Sequence, residues 1–259
     1  MAKHIIRLAL SALLLSACTT SPTGRTQLVM MPDTQVNQMG LKAFSQLKQK
    51  TPISRNAAYN RLTHCVANAI TQQVGGGRWE VVVFQDKTYN AFALPGNKIG
   101  VHTGLIELIN GNQNQLAAVI GHEVGHVLAK HSNERASQQL AVQQGMSIAQ
   151  QSGMVESNAM MGLLGLGAQY GVLLPFSRTQ ESEADEIGQN LMAKAGFDPR
   201  QSVALWQKMA QASGGQQPVE FMSTHPSDTT RMQDLQQHMA SAVAIYQQAQ
   251  AAGRRPHCQ

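Results

Sequence analysis

The run Leu116-Ala117-Ala118-Val119-Ile120-Gly121-His122-Glu123-Val124-Gly125-His126-Val127-Leu128 embeds three ionisable side chains in an otherwise apolar helical pattern. His122 and His126 stand four apart, so on a helix both imidazoles leave the same face and can converge on one ion. The apolar flanks bury the helix, and two buried histidines beside a buried carboxylate need a compensating partner. A chain with this segment must put the helix inside its core and keep one face open to a ligand. Zinc fits, because it takes nitrogen ligands at about 2.0–2.1 Å and a hydrolytic site uses three protein ligands with one position left for water. Glu123, adjacent in sequence, can serve as the general base for that water. The competing reading is a chance H-E-x-x-H in a structural helix.

A third ligand separates the two readings. The metzincin pattern would need Gly at 129 and His at 132, where this chain has Ala129 and Ser132. His131, five residues after His126, lies on another helix face and is expected as a polar neighbour of the site. Downstream, Ser177 to Gly188 contains Glu181, Glu183, Asp185 and Glu186 at helical spacing. Glu181 and Asp185 share a face. Glu181 could complete a His-His-Glu site, and Asp185 could accept the outward N–H of a liganding histidine and fix its tautomer. Glu183 and Glu186 are expected on a solvated acidic face, which is also the alternative for the whole cluster.

The rest of the pattern reads as α+β and mainly helical. Apolar residues recur at helical spacing over 36–50 and 56–74, and Gly75-Gly76-Gly77 stops the second segment. Trp79 to Phe84, Phe92 to Leu94 and Lys98 to His102 read as short strands, the last two joined by the turn Pro95-Gly96-Asn97. Helices are expected over 104–109, 114–151, 179–195, 199–213 and 229–252. The apolar stretch 159–176 is interrupted by Gln169, Tyr170 and glycines, so a buried or substrate-facing helical hairpin is preferred over a membrane span. Of the 259 residues 42% are hydrophobic and 14% charged, and the net charge of +5 is scattered. Without a basic stripe interleaved with aromatics, nucleic acid is not an expected partner.

Lys3 and Arg7, an apolar stretch from Leu8 to Leu15 and small residues before Cys18 read as an export signal over 1–17. Leu15-Ser16-Ala17-Cys18 resembles the bacterial lipobox, which implies lipidation of Cys18, and Thr19 rather than Asp after it favours the outer membrane. Residues 18–35, with Pro22, Gly24 and Pro32, are expected as a lipidated tether, and residues 36–259 as the folded domain. Cys65 and Cys258 remain to pair in an oxidising periplasm or to stay as two thiols.

Taken together, His122-Glu123-Val124-Gly125-His126, Ser177-Arg178 and Glu181-x-x-x-Asp185 resemble the HtpX, Oma and CAAX-prenyl-protease superfamily of zinc peptidases, in its bacterial periplasmic lipoprotein branch. The resemblance spans roughly 56–231. It implies a zincin-like (gluzincin) domain with a small sheet rimming the cleft, one Zn2+ per chain, and Glu181 as the third ligand beside His122 and His126. Asn90-Ala91-Phe92-Ala93-Leu94-Pro95-Gly96 is similar to a family strand that pairs with extended substrate, with Asn90 touching it. His225-Pro226 followed by Arg231 resembles a further motif. It implies that His225 stabilises the oxyanion, and that Arg231 orients the site or holds a substrate carbonyl or carboxylate. The expected activity is hydrolysis of unfolded or misassembled envelope proteins. The alternative is a periplasmic chaperone or assembly factor that binds such clients with little cleavage.

Overall fold

The computed structural model describes residues 18–75, 77–151, 176–213, 220–225 and 229–258. The expected export signal and nearly all of the 159–176 stretch lie outside these residues. Among the described residues the fold is α+β and mainly helical. A hairpin of β1 (Cys18–Thr20) and β2 (Thr26–Leu28) precedes α1 (Asp33–Lys50) and α2 (Ala57–Thr71). A three-stranded sheet follows, formed by β3 (Glu80–Phe84), β4 (Ala91–Leu94) and β5 (Lys98–His102). Then come α3 (Thr103–Leu108), α4 (Gln113–Leu128), α5 (His131–Gln151) and α6 (Arg178–Lys194). The chain ends with α7 (Arg200–Ser213), α8 (Glu220–Thr224) and α9 (Thr229–Ala251).

Helix α4 runs through the core because its sequence leaves almost no polar face: Leu116, Ala117, Val119, Ile120 and Val124 are all buried. It packs on α6 above all, and also on α2, α7 and β4. Asn112 caps its first turn by accepting from the amides of Asn114 and Gln115. Ser177 and Gln180 close a reciprocal capping box at the start of α6, which sets where Glu181 enters the core.

The backbones of α4 and α6 come unusually close. A Cβ on Gly121 would meet the Gly188 carbonyl oxygen at 2.7 Å, and one on Gly188 would meet the His122 amide nitrogen at 2.5 Å. The glycine inside the HEVGH segment does the same service, since a Cβ on Gly125 would meet the Ala184 oxygen at 2.8 Å.

In the sheet β5 is central, parallel to β3 and antiparallel to β4, with Val81 opposite Ile99 and Phe92 opposite Gly100. Strand β4 is therefore an edge. It lies against α4, while Phe44 of α1 meets Phe84 and Phe92 in a small second core. Cys65 of α2 and Cys258 form a disulfide with Cα atoms 5.4 Å apart, the paired alternative of the two open from sequence.

Two expectations about the backbone change. The single helix expected over 114–151 is broken: Ala129 caps α4, Lys130 takes a left-handed φ of 54°, and α5 starts at His131. The Lys130 side chain pairs with Asp33 at 2.6 Å. The expected tether over 18–35 is folded over much of its length, because its donors and acceptors find partners on the body. Besides the β1–β2 ladder, Arg25 pairs with Glu134 and Glu183, the Met30 amide donates to Ser137, and Asn133 donates to the Met31 carbonyl.

Candidate metal centre

Four buried side chains converge: His122 and His126 from α4, Glu181 from α6 and His225 just after α8. One donor atom from each lies within 4.8 Å of all the others. The two Nε2 atoms of His122 and His126 are 3.0 Å apart, and each is 3.5 Å from a Glu181 oxygen. His225 Nδ1 is 3.0 Å from Glu181 Oε1 and 3.2 Å from His122 Nε2.

The outer partners decide what this cluster can hold. Asp185 accepts from His122 Nδ1 at 2.8 Å, so that nitrogen carries the hydrogen and Nε2 presents a lone pair. His131 Nε2 donates to Glu183 at 3.1 Å, which leaves its Nδ1 to accept from His126 Nδ1 at 2.8 Å. His126 Nε2 thus presents a lone pair as well. Two lone pairs aimed at each other across 3.0 Å beside a carboxylate repel unless a cation stands between them. Either a proton or a metal ion can take that place. Three nitrogens and a carboxylate are the donor set zinc favours, so the residues present fit the metal.

The electrostatics agree. Burial opposes charge on His122, but Asp185 and Glu181 outweigh it and push its pKa up to about 9, the proton being what a metal would replace. For His126 burial dominates and pulls the pKa well below the usual value. Burial also opposes ionisation of Glu181, yet hydrogen bonds from His122, His126 and His225 hold it far below the carboxylate range. Glu123 moves the other way: burial raises it, only partly offset by His225 and His122. Its Oε2 accepts from the Ala93 amide at 3.0 Å, and its buried Oε1 has no hydrogen-bond donor, lying 3.4 Å from His225 Nε2.

Several expected residues land where the sequence put them, and others do not. Asp185 contacts His122 as anticipated. Arg231 is fully buried, with Nε and Nη2 on Asp185 at 2.7 and 2.9 Å, Nη1 on Glu181 at 2.6 Å and its guanidinium over Trp206. Its guanidinium thus bridges the two carboxylates of α6. His225, expected at the oxyanion, sits among the donors themselves. Asn90 is buried just before β4, its main chain bonded to Thr88 and His102, with no described bond from its side chain to the cluster. Glu183, expected in solvent, is buried because the β1–β2 hairpin covers it, whereas Glu186 is half-buried. Arg25 and Glu134 were not foreseen as part of the surroundings. The one hint in the sequence is the crowding of four carboxylates, Glu181, Glu183, Asp185 and Glu186, on α6, more than can be buried without a cation from elsewhere.

A helix offering two histidines and a glutamate, joined by a carboxylate from a second helix, defines a metallopeptidase centre of the zincin kind. The chain belongs to peptidase family M48, whose model matches residues 54–239, and zinc is the metal of that family. It is 39% identical over 166 residues to the mitochondrial metalloendopeptidase OMA1 of Schizosaccharomyces pombe, covering 64% of this chain and 48% of that protein. Similarity to metalloprotease LoiP of Escherichia coli is 28% over 216 residues, covering 83% of this chain and 84% of LoiP. The β-barrel assembly-enhancing protease of Yersinia pestis is 26% identical over 206 residues, covering 76% and 42%. The chain thus spans about half the length of its fungal relative, and most of LoiP.

Proposed function

We propose that this protein is a zinc endopeptidase held at the outer membrane through lipidated Cys18, where it cuts unfolded or misassembled envelope proteins in the periplasm. The observation that carries the reading is the setting of Glu123. Its Oε2 is fixed by the Ala93 amide of β4, its Oε1 is free to accept a proton, and the four donors lie beside it. Zinc held by His122, His126 and Glu181 would polarise the scissile carbonyl and activate a water. Glu123 is placed to take a water proton and pass it to the leaving amine, and burial favours this by raising its proton affinity. His225, whose Nε2 is near Glu123, is placed to hold the developing oxyanion or to join the ligands. The outer edge of β4 offers main-chain groups to an extended peptide, with Asn90 at the start of that edge, so recognition depends on backbone more than on sequence.

The membrane assignment draws on the Cys18 context and on the bacterial relatives LoiP and the β-barrel assembly-enhancing protease. Among the described residues no helix is long and apolar enough to cross a membrane. Casein or a denatured outer-membrane protein is incubated with wild type and with Glu123→Gln. The variant is expected to keep zinc and lose at least about 100-fold in rate, the scale of a general base. Equal cleavage by both would leave the chaperone alternative standing. Labelled palmitate should enter wild type and not Cys18→Ser, and incorporation into both would remove the anchor.

A further inference from the structure

Arg25 stands in the β1–β2 turn, yet its shortest bonds reach two helices of the body, while Nη1 and Nη2 also donate to the Thr26 carbonyl and Gln27 Oε1 of the hairpin at 3.4 and 3.3 Å. Nη1 and Nη2 grip Glu134 of α5 at 2.7 and 2.8 Å, while Nε donates to Glu183 Oε2 of α6 at 2.7 Å. Thr23 Oγ1 donates to the other oxygen of Glu183 at 2.6 Å. Glu183 is thereby fixed with Oε2 turned to His131 Nε2 at 3.1 Å, and His131 Nδ1 meets His126 Nδ1 at 2.8 Å.

Each link constrains the next. A carboxylate only accepts, so His131 Nε2 must carry hydrogen; in the neutral ring its Nδ1 then only accepts, so His126 donates from Nδ1. The result is an Nε2 lone pair on His126 aimed at His122 and Glu181. Without Glu183 in place, His131 can flip or change tautomer and no longer imposes that state on its neighbour. Glu183 itself depends on the hairpin, since Thr23 and Arg25 hold both its oxygens.

We infer that Arg25 is a positioning residue for the metal centre: through Glu183 and His131 it sets the tautomer and orientation of His126, which makes the hairpin a working part of the site. The inference rests on His126 being a zinc ligand. It also brings metal retention and the proposed lipid attachment into one element, because Cys18 pairs with Leu28 in the same hairpin.

Zinc affinity of the purified full chain, measured by competition with a chromogenic chelator, tests it. Arg25→Ala is expected to bind zinc more weakly, by up to about the 10–100-fold that losing a ligand's outer partner costs, since Arg25 acts on that partner, His131, through Glu183. Arg25→Lys should recover part of that loss, and Arg25→Ala combined with Glu183→Gln should be no weaker than Glu183→Gln alone. Ser137→Ala removes the acceptor for the Met30 amide and loosens the hairpin without touching Glu183. It should lower the thermal midpoint and leave zinc affinity unchanged. Thr23→Val, which deletes one bond to Glu183, should weaken zinc in the same direction as Arg25→Ala by a smaller factor, and it decides the matter if Arg25→Ala does not fold. Wild-type affinity in folded Arg25→Ala or in Thr23→Val overturns the inference, as does equal weakening by Ser137→Ala and Arg25→Ala. Zinc retained by His126→Ala would instead overturn the ligand assignment beneath it.

Discussion

At the scale of single residues, the centre is governed by what stands behind the ligands. His122 leans on Asp185, which leans on Arg231; His126 leans on His131, which leans on Glu183. Glu183 makes this measurable in acid. Burial pushes its pKa up, but hydrogen bonds from Ser21, Thr23, Arg25 and His131 outweigh burial and hold it at about 2. An unfolded glutamate titrates near 4.3, roughly. The stabilisation is therefore complete above that value and is lost as pH falls toward about 2, the unfolded chain taking up the proton first. Urea unfolding between pH 5 and pH 2.5, roughly that window, should show a shallower loss of stability for Glu183→Gln than for wild type; parallel curves would mean that Glu183 is not held this way. His122 with His126 and Glu181 with Asp185 were legible in the sequence because spacings of four put each pair on one helix face, and Glu123 because it stands next to His122. Glu183 was not, because its cover comes from Thr23 and Arg25, some 160 residues away.

At the scale of elements, the geometry of the metal centre is the geometry of one helix pair. Gly121 and Gly125 let α4 approach α6, and Gly188 lets α6 approach in return. Gly188→Ala forces a methyl against the His122 amide and the Gly121 carbonyl carbon, which are backbone and cannot rotate away. The expected cost is about 1–3 kcal/mol, seen as a lower thermal midpoint, together with weaker zinc binding as Glu181 moves off the histidines. An unchanged midpoint would show that the helices have slack. Periodicity located these helices and the three sheet strands to within a few residues. It missed the break at Lys130, since no Gly or Pro marks the left-handed residue between the two helices. It missed the β1–β2 hairpin too, whose three-residue strands are too short to show alternation.

At the scale of the whole molecule, the two ends of the described body are tied to its middle by different means. The hairpin is joined by ion pairs and hydrogen bonds to α5 and α6, and the last residues by the Cys65–Cys258 disulfide to α2. The disulfide closes a sequence separation of 193. Chain-entropy reasoning for a loop of that size puts its contribution at roughly 5 kcal/mol, an upper value where the unfolded chain keeps structure. Cys65→Ser should lower the thermal midpoint by many degrees, and dithiothreitol should do the same to wild type while leaving the variant unmoved. Sequence spacing could not settle this pairing, because it depends on where α9 delivers the tail, which is a tertiary fact.

That bond has a consequence for damage. Every donor of the metal cluster, together with Glu123, Asp185 and Arg231, lies between Cys65 and Cys258. One backbone cut anywhere in the interval, by a neighbouring copy or a foreign enzyme, leaves the two pieces covalently joined. The nicked molecule runs as one band on a gel until it is reduced.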